Sequence, residues 1–389
     1  MNFDSESGAA HGFVAAGFES VAAEFARNFE ERGDVGAAFA AVQNGETVVD
    51  LWGGDAAPGR PWRDDSLQVI FSGTKGLTAA CMLMLIDGGR VDLDKPVAHY
   101  WPQFAANDKS RVLVRDIVSH QAGLPGITRT SLTLTEVVDA EAMEALLAGE
   151  PLSSDPNAYR CYHALTIGWL CGGLLRRIDG RSIGRFFADE IARPLALEIW
   201  LGLPGALEER MGQLERSPAF GPWDAGLTPE QAANPTLKSI WANPPLFPIE
   251  GFLWNTRAFH ASEIPAAGAI ATARSMARFY ACLSQGAELD GVRLMKPETL
   301  LAGRRELNRF IDPFLAEPMA FGTVFALQPE PKRFGPAPEA FGHQGAGGSL
   351  HAAWPEQKLG FSYVMNQMRT AAEDQRLPAI LDALYAAAL

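Results

Sequence analysis

The run from Ser72 to Asp87, Ser-Gly-Thr-Lys-Gly-Leu-Thr-Ala-Ala-Cys-Met-Leu-Met-Leu-Ile-Asp, constrains this chain more than any other stretch, because a single lysine interrupts an otherwise apolar segment. An apolar run of this length reads as a mostly buried helix. Helical spacing brings positions i and i+3 onto one face, so Ser72 and Lys75 lie side by side at the helix start. Unpaired backbone N–H groups there favour developing negative charge. A serine hydroxyl is a weak nucleophile until a neighbouring base takes its proton. A lysine in an apolar pocket can have a pKa low enough to be that base. The same four residues also read as a Ser N-cap followed by a surface lysine, and S-x-x-K is too short to choose alone. It is the only S-x-x-K in the sequence. The rest of the chain decides.

At 389 residues the chain is long enough for two or three domains, or for one large core with an insertion. Hydrophobic residues at 47% and charged residues at 20% describe a folded globular protein. A formal charge of −13 argues against nucleic acid or an anionic membrane as partner. No apolar stretch reaches the roughly 18 residues needed to span a bilayer. The start, Met1-Asn2-Phe3-Asp4-Ser5-Glu6, is acidic where a signal peptide is basic, so cytoplasmic residence is the expectation. Cys81, Cys161, Cys171 and Cys282 form no C-x-x-C pair and sit among apolar residues, which reads as core filler. The seven histidines show no compact metal pattern, so neither a metal nor a cofactor is expected.

Residues 10–32 have helical spacing and stop at Gly33. Two strands, 35–42 and 46–52, follow around Gln43-Asn44-Gly45, an Asn-Gly hairpin signal. Gly53-Gly54 is expected to end the second. From about 90 to 260 short helices alternate with Pro-rich connections. The stretch 204–260, which carries Trp223, Trp241 and Trp254, reads as a lid or pocket wall, or as an insertion packed for stability alone. Thr272 should cap a helix over 272–286. Strands are expected at 321–327, 349–354 and 359–366, with a closing helix over about 371–388. The economical architecture is α/β of the α+β kind: N- and C-terminal strands share one antiparallel sheet flanked by helices. Residues 1–85 and 265–389 then form a discontinuous α/β domain, and 86–264 a mostly helical one.

A nucleophilic Ser72 needs a second proton shuttle and an oxyanion hole. Tyr162 is the candidate shuttle, with Tyr159 as local competitor; a tyrosine beside a lysine ammonium is biased towards phenolate. The segment Gly342-His343-Gln344-Gly345-Ala346-Gly347-Gly348 leads into a strand, and its glycines let backbone approach a ligand. The N–H groups of Ala346 and Ser72 would together form the oxyanion hole.

Taken in order, Ser72-x-x-Lys75, Tyr162 and His343-Gln344-Gly345 resemble the three motifs of the serine β-lactamase-like superfamily. Val114-Arg115-Asp116-Ile117-Val118-Ser119-His120-Gln121-Ala122-Gly123-Leu124-Pro125 and Gly88-Gly89-Arg90-Val91-Asp92-Leu93-Asp94-Lys95-Pro96 are similar to two further family segments. Within the superfamily the chain looks most like family VIII carboxylesterases, relatives of class C β-lactamases. The resemblance implies a helical domain beside an α/β domain, with the serine in the cleft. It also implies acyl-enzyme chemistry in which Ser72 attacks an ester carbonyl and Lys75 and Tyr162 handle the proton. His343, Gln344, Gly345 and Ala346 would then border the bound substrate.

Two departures bear on substrate. Penicillin-interacting members carry Tyr-x-Asn where this chain has Ala164, and Lys-Thr-Gly where it has His343-Gln344-Gly345. Both weaken the grip expected on a β-lactam's amide and carboxylate, and Arg257 or Arg274 would have to supply the missing charge. There is no G-x-S-x-G elbow of an α/β-hydrolase. The leading reading is therefore a serine carboxylesterase acting on a small-molecule ester, short-acyl or otherwise uncharged, with lactones within range. The alternatives are a β-lactamase or amidase of the same mechanism, and a catalytically idle relative that binds an acyl ligand.

Overall fold

The computed structural model describes residues 1–153, 160–222, 224, 227–245, 247 and 251–389. Its centre is an eleven-stranded antiparallel sheet. The strands run in the order Asn2–Asp4, Ala10–Val14, Glu46–Ala57, Gly36–Gln43, Leu359–Met365, Leu350–Trp354, Phe341–Gln344, Ala326–Leu327, Pro318–Phe321 and Asn308–Ile311, and the short Arg60–Pro61 pairs beside Glu46–Ala57. N-terminal and C-terminal strands join where Gly36–Gln43 pairs with Leu359–Met365, Phe39 opposite Tyr363. This is the α+β arrangement expected from the sequence.

Alternation along Gly36–Gln43 explains the layers. Ala37, Phe39 and Ala41 enter one apolar core with Phe361 and Tyr363, under the helices Glu19–Glu30 and Pro378–Ala388. Ala38, Ala40 and Val42 face the other way into a larger core shared with the helices Thr74–Asp87, Thr166–Asp179 and Ala273–Ser284. Successive strand residues point to opposite faces, so one strand serves both cores. The hairpin turns as expected, with Asn44 at φ 52° and Gly45 at φ 86°, the left-handed pair a type I′ turn requires. Thr272 caps the helix Ala273–Ser284 by accepting from the Ser275 N–H at 3.2 Å.

Several boundaries differ from expectation. Only Glu19–Glu30 of the segment 10–32 is helical; Ala10–Val14 is a strand paired with Glu46–Ala57, and Asn2–Asp4 adds another beside it. Tertiary pairing overrides the local helical spacing there. Gly53-Gly54 does not end its strand, which continues to Ala57. A Cβ on Gly54 would lie 1.9 Å from Val35 O, so this glycine admits a neighbouring backbone instead of stopping the strand. The expected strand 321–327 is a tight hairpin, Pro318–Phe321 and Ala326–Leu327, turning through Val324 at φ 64°. The closing helix begins at Pro378, the residue that presets its first turn. All four cysteines are buried and unpaired. Among the described residues, no helix is long and apolar enough to cross a membrane.

Candidate active site

The helix Thr74–Asp87 does not begin at Ser72 but follows a one-turn 3-10 segment, Phe71–Gly73. Phe71 stands at φ 45°, an unfavourable conformation for an aromatic residue, held because its ring packs on Trp254 and Phe247. The kink turns Ser72 out of the core and into a cavity while the helix itself stays buried. Thr74 locks the turn: its hydroxyl donates to Phe71 O at 2.6 Å and accepts from the Ala269 N–H at 3.0 Å.

Lys75 is wholly buried. Its Nζ donates to the carbonyls of Ala164 at 2.7 Å and Ala266 at 2.9 Å, and lies 3.1 Å from Ser72 Oγ. The surface-lysine reading is thereby excluded. Burial holds its pKa well below the ordinary lysine value. A neutral amine has two N–H donors, and the two carbonyls consume both. Its lone pair then has one direction left, towards the Ser72 hydroxyl. Gly168 makes this clamp possible: a Cβ there would lie 2.4 Å from Ala266 N, so its absence lets the helix Thr166–Asp179 close on that segment.

Tyr162 completes the group. Its hydroxyl donates to Ser72 Oγ at 3.0 Å, and Lys75 Nζ lies 4.8 Å from its ring centroid. The expected bias to phenolate does not hold. Burial raises the phenol's pKa above its ordinary value, so Tyr162 rests as a neutral hydrogen-bond donor. The backbone of Tyr162 is fixed by Asp312, whose Oδ2 accepts from its N–H at 2.7 Å. Asp312 was not singled out in the sequence, where nothing marks it as a partner of a residue 150 positions away. Tyr159, the local competitor, lies outside the described residues.

His343 sits on the far side of Tyr162, its Nε2 3.5 Å from the phenolic oxygen. Nδ1 faces Gln344 O at 2.8 Å, which assigns the proton to Nδ1 and leaves Nε2 an acceptor. Burial lowers the His343 pKa to about 3, so the ring is neutral. The His120 ring packs tilted against Tyr162 with ring centroids 4.9 Å apart, and its Nδ1 accepts from the His163 N–H at 3.0 Å. The segment 114–125 thus reaches the site through His120, a contact the sequence did not reveal.

Ser72, Tyr162, His343, Gln344, Gly345 and Ala346 all line one cavity of about 170 Å³. Gly345 is anchored by its N–H to Ser349 O at 2.8 Å, and among the described residues the Ala346 N–H has no acceptor. The remaining wall is largely apolar, with Phe71, Trp241, Phe247, Trp254, Met319 and Phe321. Trp241 and Trp254 therefore belong to a pocket wall; Trp223 lies outside the described residues. Arg257 and Arg274 do not line the cavity. Arg257 is engaged by Glu208 at 3.2 Å, and Arg274 by Asp50 at 2.8 Å. The charge at the wall comes from Arg333 and Glu317, which the sequence reading passed over. Chemically, the arrangement offers a hydroxyl between a lone-pair acceptor and a proton donor, beneath an apolar cavity with an unpaired amide on its rim.

Known proteins share this frame. An esterase/β-lactamase, LipL, from Mycobacterium tuberculosis is 34% identical over 375 residues, spanning 90% of this chain and 81% of that protein. A penicillin-binding protein homolog from Caulobacter crescentus superposes with a TM-score of 0.89 at 34% identity, covering 97% of this chain and 99% of the other. A family VIII carboxylesterase structure does so with a TM-score of 0.88 at 33% identity, again covering 97% and 99%. The family model described as Beta-lactamase matches residues 25–385, and the chain belongs to that family.

Proposed function

We propose that the protein is a serine carboxylesterase that hydrolyses small, uncharged esters through an acyl-enzyme on Ser72. One observation carries this: buried Lys75 Nζ reaches the carbonyls of Ala164 and Ala266 and the Ser72 hydroxyl, so that as an amine, the form burial favours, it aims its lone pair at a serine on the wall of an apolar cavity. The names of its relatives, an esterase/β-lactamase and a family VIII carboxylesterase, support the same reading.

In the acylation step Ser72 Oγ forms a bond to the ester carbonyl carbon as its proton passes to Lys75 Nζ. The carbonyl oxygen, now an anion, takes hydrogen bonds from the N–H groups of Ser72 and Ala346. Collapse breaks the bond to the alcohol oxygen, and Tyr162 supplies that oxygen with a proton. Tyr162 is restored by the proton held on Lys75. Water then attacks the acyl carbonyl with the same groups reversing roles, releasing the acid and free Ser72. A raised phenol pKa suits Tyr162 to this work, since it keeps the proton until an alkoxide claims it. His343 packs beside Tyr162 with Nε2 3.5 Å from the phenolic oxygen, an alternative acceptor when the hydroxyl turns from Ser72, while Gln344 and Gly345 border the substrate.

A preference for uncharged esters over β-lactams is supported by Ala164 and neutral His343, which offer no amide and no cation at these two motif positions. A panel of short p-nitrophenyl esters, lactones and nitrocefin tests it. Short esters should exceed nitrocefin in kcat/KM by roughly a hundredfold, the worth of a missing charge-assisted contact. Comparable efficiency would favour a β-lactamase. We propose also that the chain divides into 1–85 with 265–389 and 86–264, the cavity lying where Ser72 of the first meets Tyr162 and Trp254 of the second. Four buried, unpaired cysteines support residence in the reducing cytoplasm.

A further inference from the structure

The Ser72 cavity adjoins a larger one of about 720 Å³, and Glu317, Arg333, Gln344, Gly345 and Ala346 border both. Arg333 and Glu317 are the formally charged residues in the Ser72 cavity wall among the described residues. They pair with each other, Nη2 to Oε2 at 2.9 Å, with side chains 21% and 34% exposed. Such a partly exposed pair contributes little to stability, yet the backbone at both partners is anchored. The N–H groups of Arg333 and Phe334 donate to Gln328 Oε1 at 2.9 and 3.0 Å, and Gln328 Nε2 donates to Gly335 O at 2.8 Å and Ala337 O at 3.0 Å. Glu317 O accepts from the Asp312 N–H at 2.9 Å, and Asp312 also holds the backbone of Tyr162. The backbone that carries each member of the pair is therefore anchored, on the Glu317 side to the same Asp312 that holds Tyr162.

A guanidinium in a cavity wall is a ready carboxylate receptor. Here Glu317 already supplies the carboxylate. A second carboxylate, carried on a substrate, would meet a pair of no net charge, in which repulsion by Glu317 offsets the attraction of Arg333. We propose that Glu317 is the specificity-determining residue that reserves this site for uncharged esters, and that Arg333 is a carboxylate site masked by it. This rests on the esterase reading above and extends it to a residue that no motif of the chain contains.

The test uses isosteric substrates that differ in charge alone: 4-carboxyphenyl butyrate against 4-carbamoylphenyl butyrate, and monophenyl adipate against its primary amide. The first pair puts the charge on the alcohol side and the second on the acyl side. The quantity read is the ratio of kcat/KM, anion over neutral, which does not depend on the folded fraction of a variant. Glu317→Gln should raise that ratio about tenfold or more for at least one pair, and the gain should shrink with added salt. Glu317→Gln combined with Arg333→Gln should return the ratio to the wild-type value. An unchanged ratio for both pairs in Glu317→Gln would overturn the proposal, as would a gain that persists in the double variant. Failure of the wild type to hydrolyse either neutral ester would instead overturn the esterase reading itself.

Discussion

Lys75 Nζ lies 3.1 Å from Ser72 Oγ, with its other two hydrogen bonds closed on the carbonyls of Ala164 and Ala266. The ammonium cannot accept a proton and the amine can, so activity depends on a lysine that is neutral at working pH. Burial lowers the Lys75 pKa, which places the amine form well below the ordinary value of 10.5. Activity should be lost as pH falls through that lowered value. It should stay flat to about pH 10, because burial raises Tyr162 above its usual range. A kcat/KM profile that rises only near pH 10.5 would contradict this. Lys75→Met keeps the packing and removes the base, and should cost at least the roughly 10²-fold associated with general base catalysis.

Tyr162→Phe removes one hydroxyl and leaves the ring against His120 and Phe321. It should lower kcat by roughly 10² or more while KM changes little, since the proton it gives is needed in the transition state. Tyr159→Phe should be much milder. If Tyr159→Phe were the worse variant, the role assigned to Tyr162 would belong three residues earlier in the sequence.

What the sequence made legible here, and what it did not, has a physical basis. Lys75 stood out because a lone charge inside an apolar helix has few structural reasons to be there. The Asn44-Gly45 turn was readable because both residues tolerate left-handed backbone, and they occupy it. The strand Ala10–Val14 was not readable, because its partner lies up to 43 residues away and local spacing over 10–32 suggests a helix, and Asn2–Asp4 pairs only with that unread strand. Here Ala10 pairs with Gly53. Phe71 gave no signal either, since its strained backbone is imposed by Trp254 and Phe247. Arg333, Glu317 and Asp312 belong to loops whose partners are set only by tertiary contact. Arg257 and Arg274 looked equally available in the sequence, but acidic neighbours hold both elsewhere.

Buried histidines give a prediction for stability. Burial lowers His163 to about 4 and His343 and His351 to about 3, and holds His120 well below its ordinary value. A group whose folded pKa is depressed contributes stability that is present above its unfolded value of about 6.5 and lost as pH falls towards the folded value. His343 and His351 should each cost up to about 1.4 kcal/mol per pH unit between about pH 6 and pH 4, and His163 should add to this until pH approaches its own folded value of about 4. Urea unfolding across that range should show steep loss, and His351→Asn should flatten it by about one proton. An unaltered slope in that variant would contradict the assignment.

Arg376 and Asp34 form an ion pair at 3.1 Å with both side chains fully buried. Arg376 also donates to Gly347 O at 2.9 Å, one residue from Ala346. Removing one member strands the other's charge, so Arg376→Met should destabilise the fold by about 3–5 kcal/mol in urea denaturation. In whatever fraction stays folded, kcat should fall more than KM rises, because the loop that presents the Ala346 amide loses its anchor. A variant of wild-type stability would show that the pair does not bind these segments together.

The most direct test of Ser72 as nucleophile is intact-mass and peptide mass spectrometry after treatment with a p-nitrophenyl phosphonate, read beside Ser72→Ala turnover of p-nitrophenyl butyrate. One phosphonyl adduct should form on the peptide containing Ser72, with loss of activity in step. The Ser72→Ala variant should take no label and show no turnover above background. Labelling at another residue, or a Ser72→Ala protein that keeps most of its esterase activity, would contradict the account.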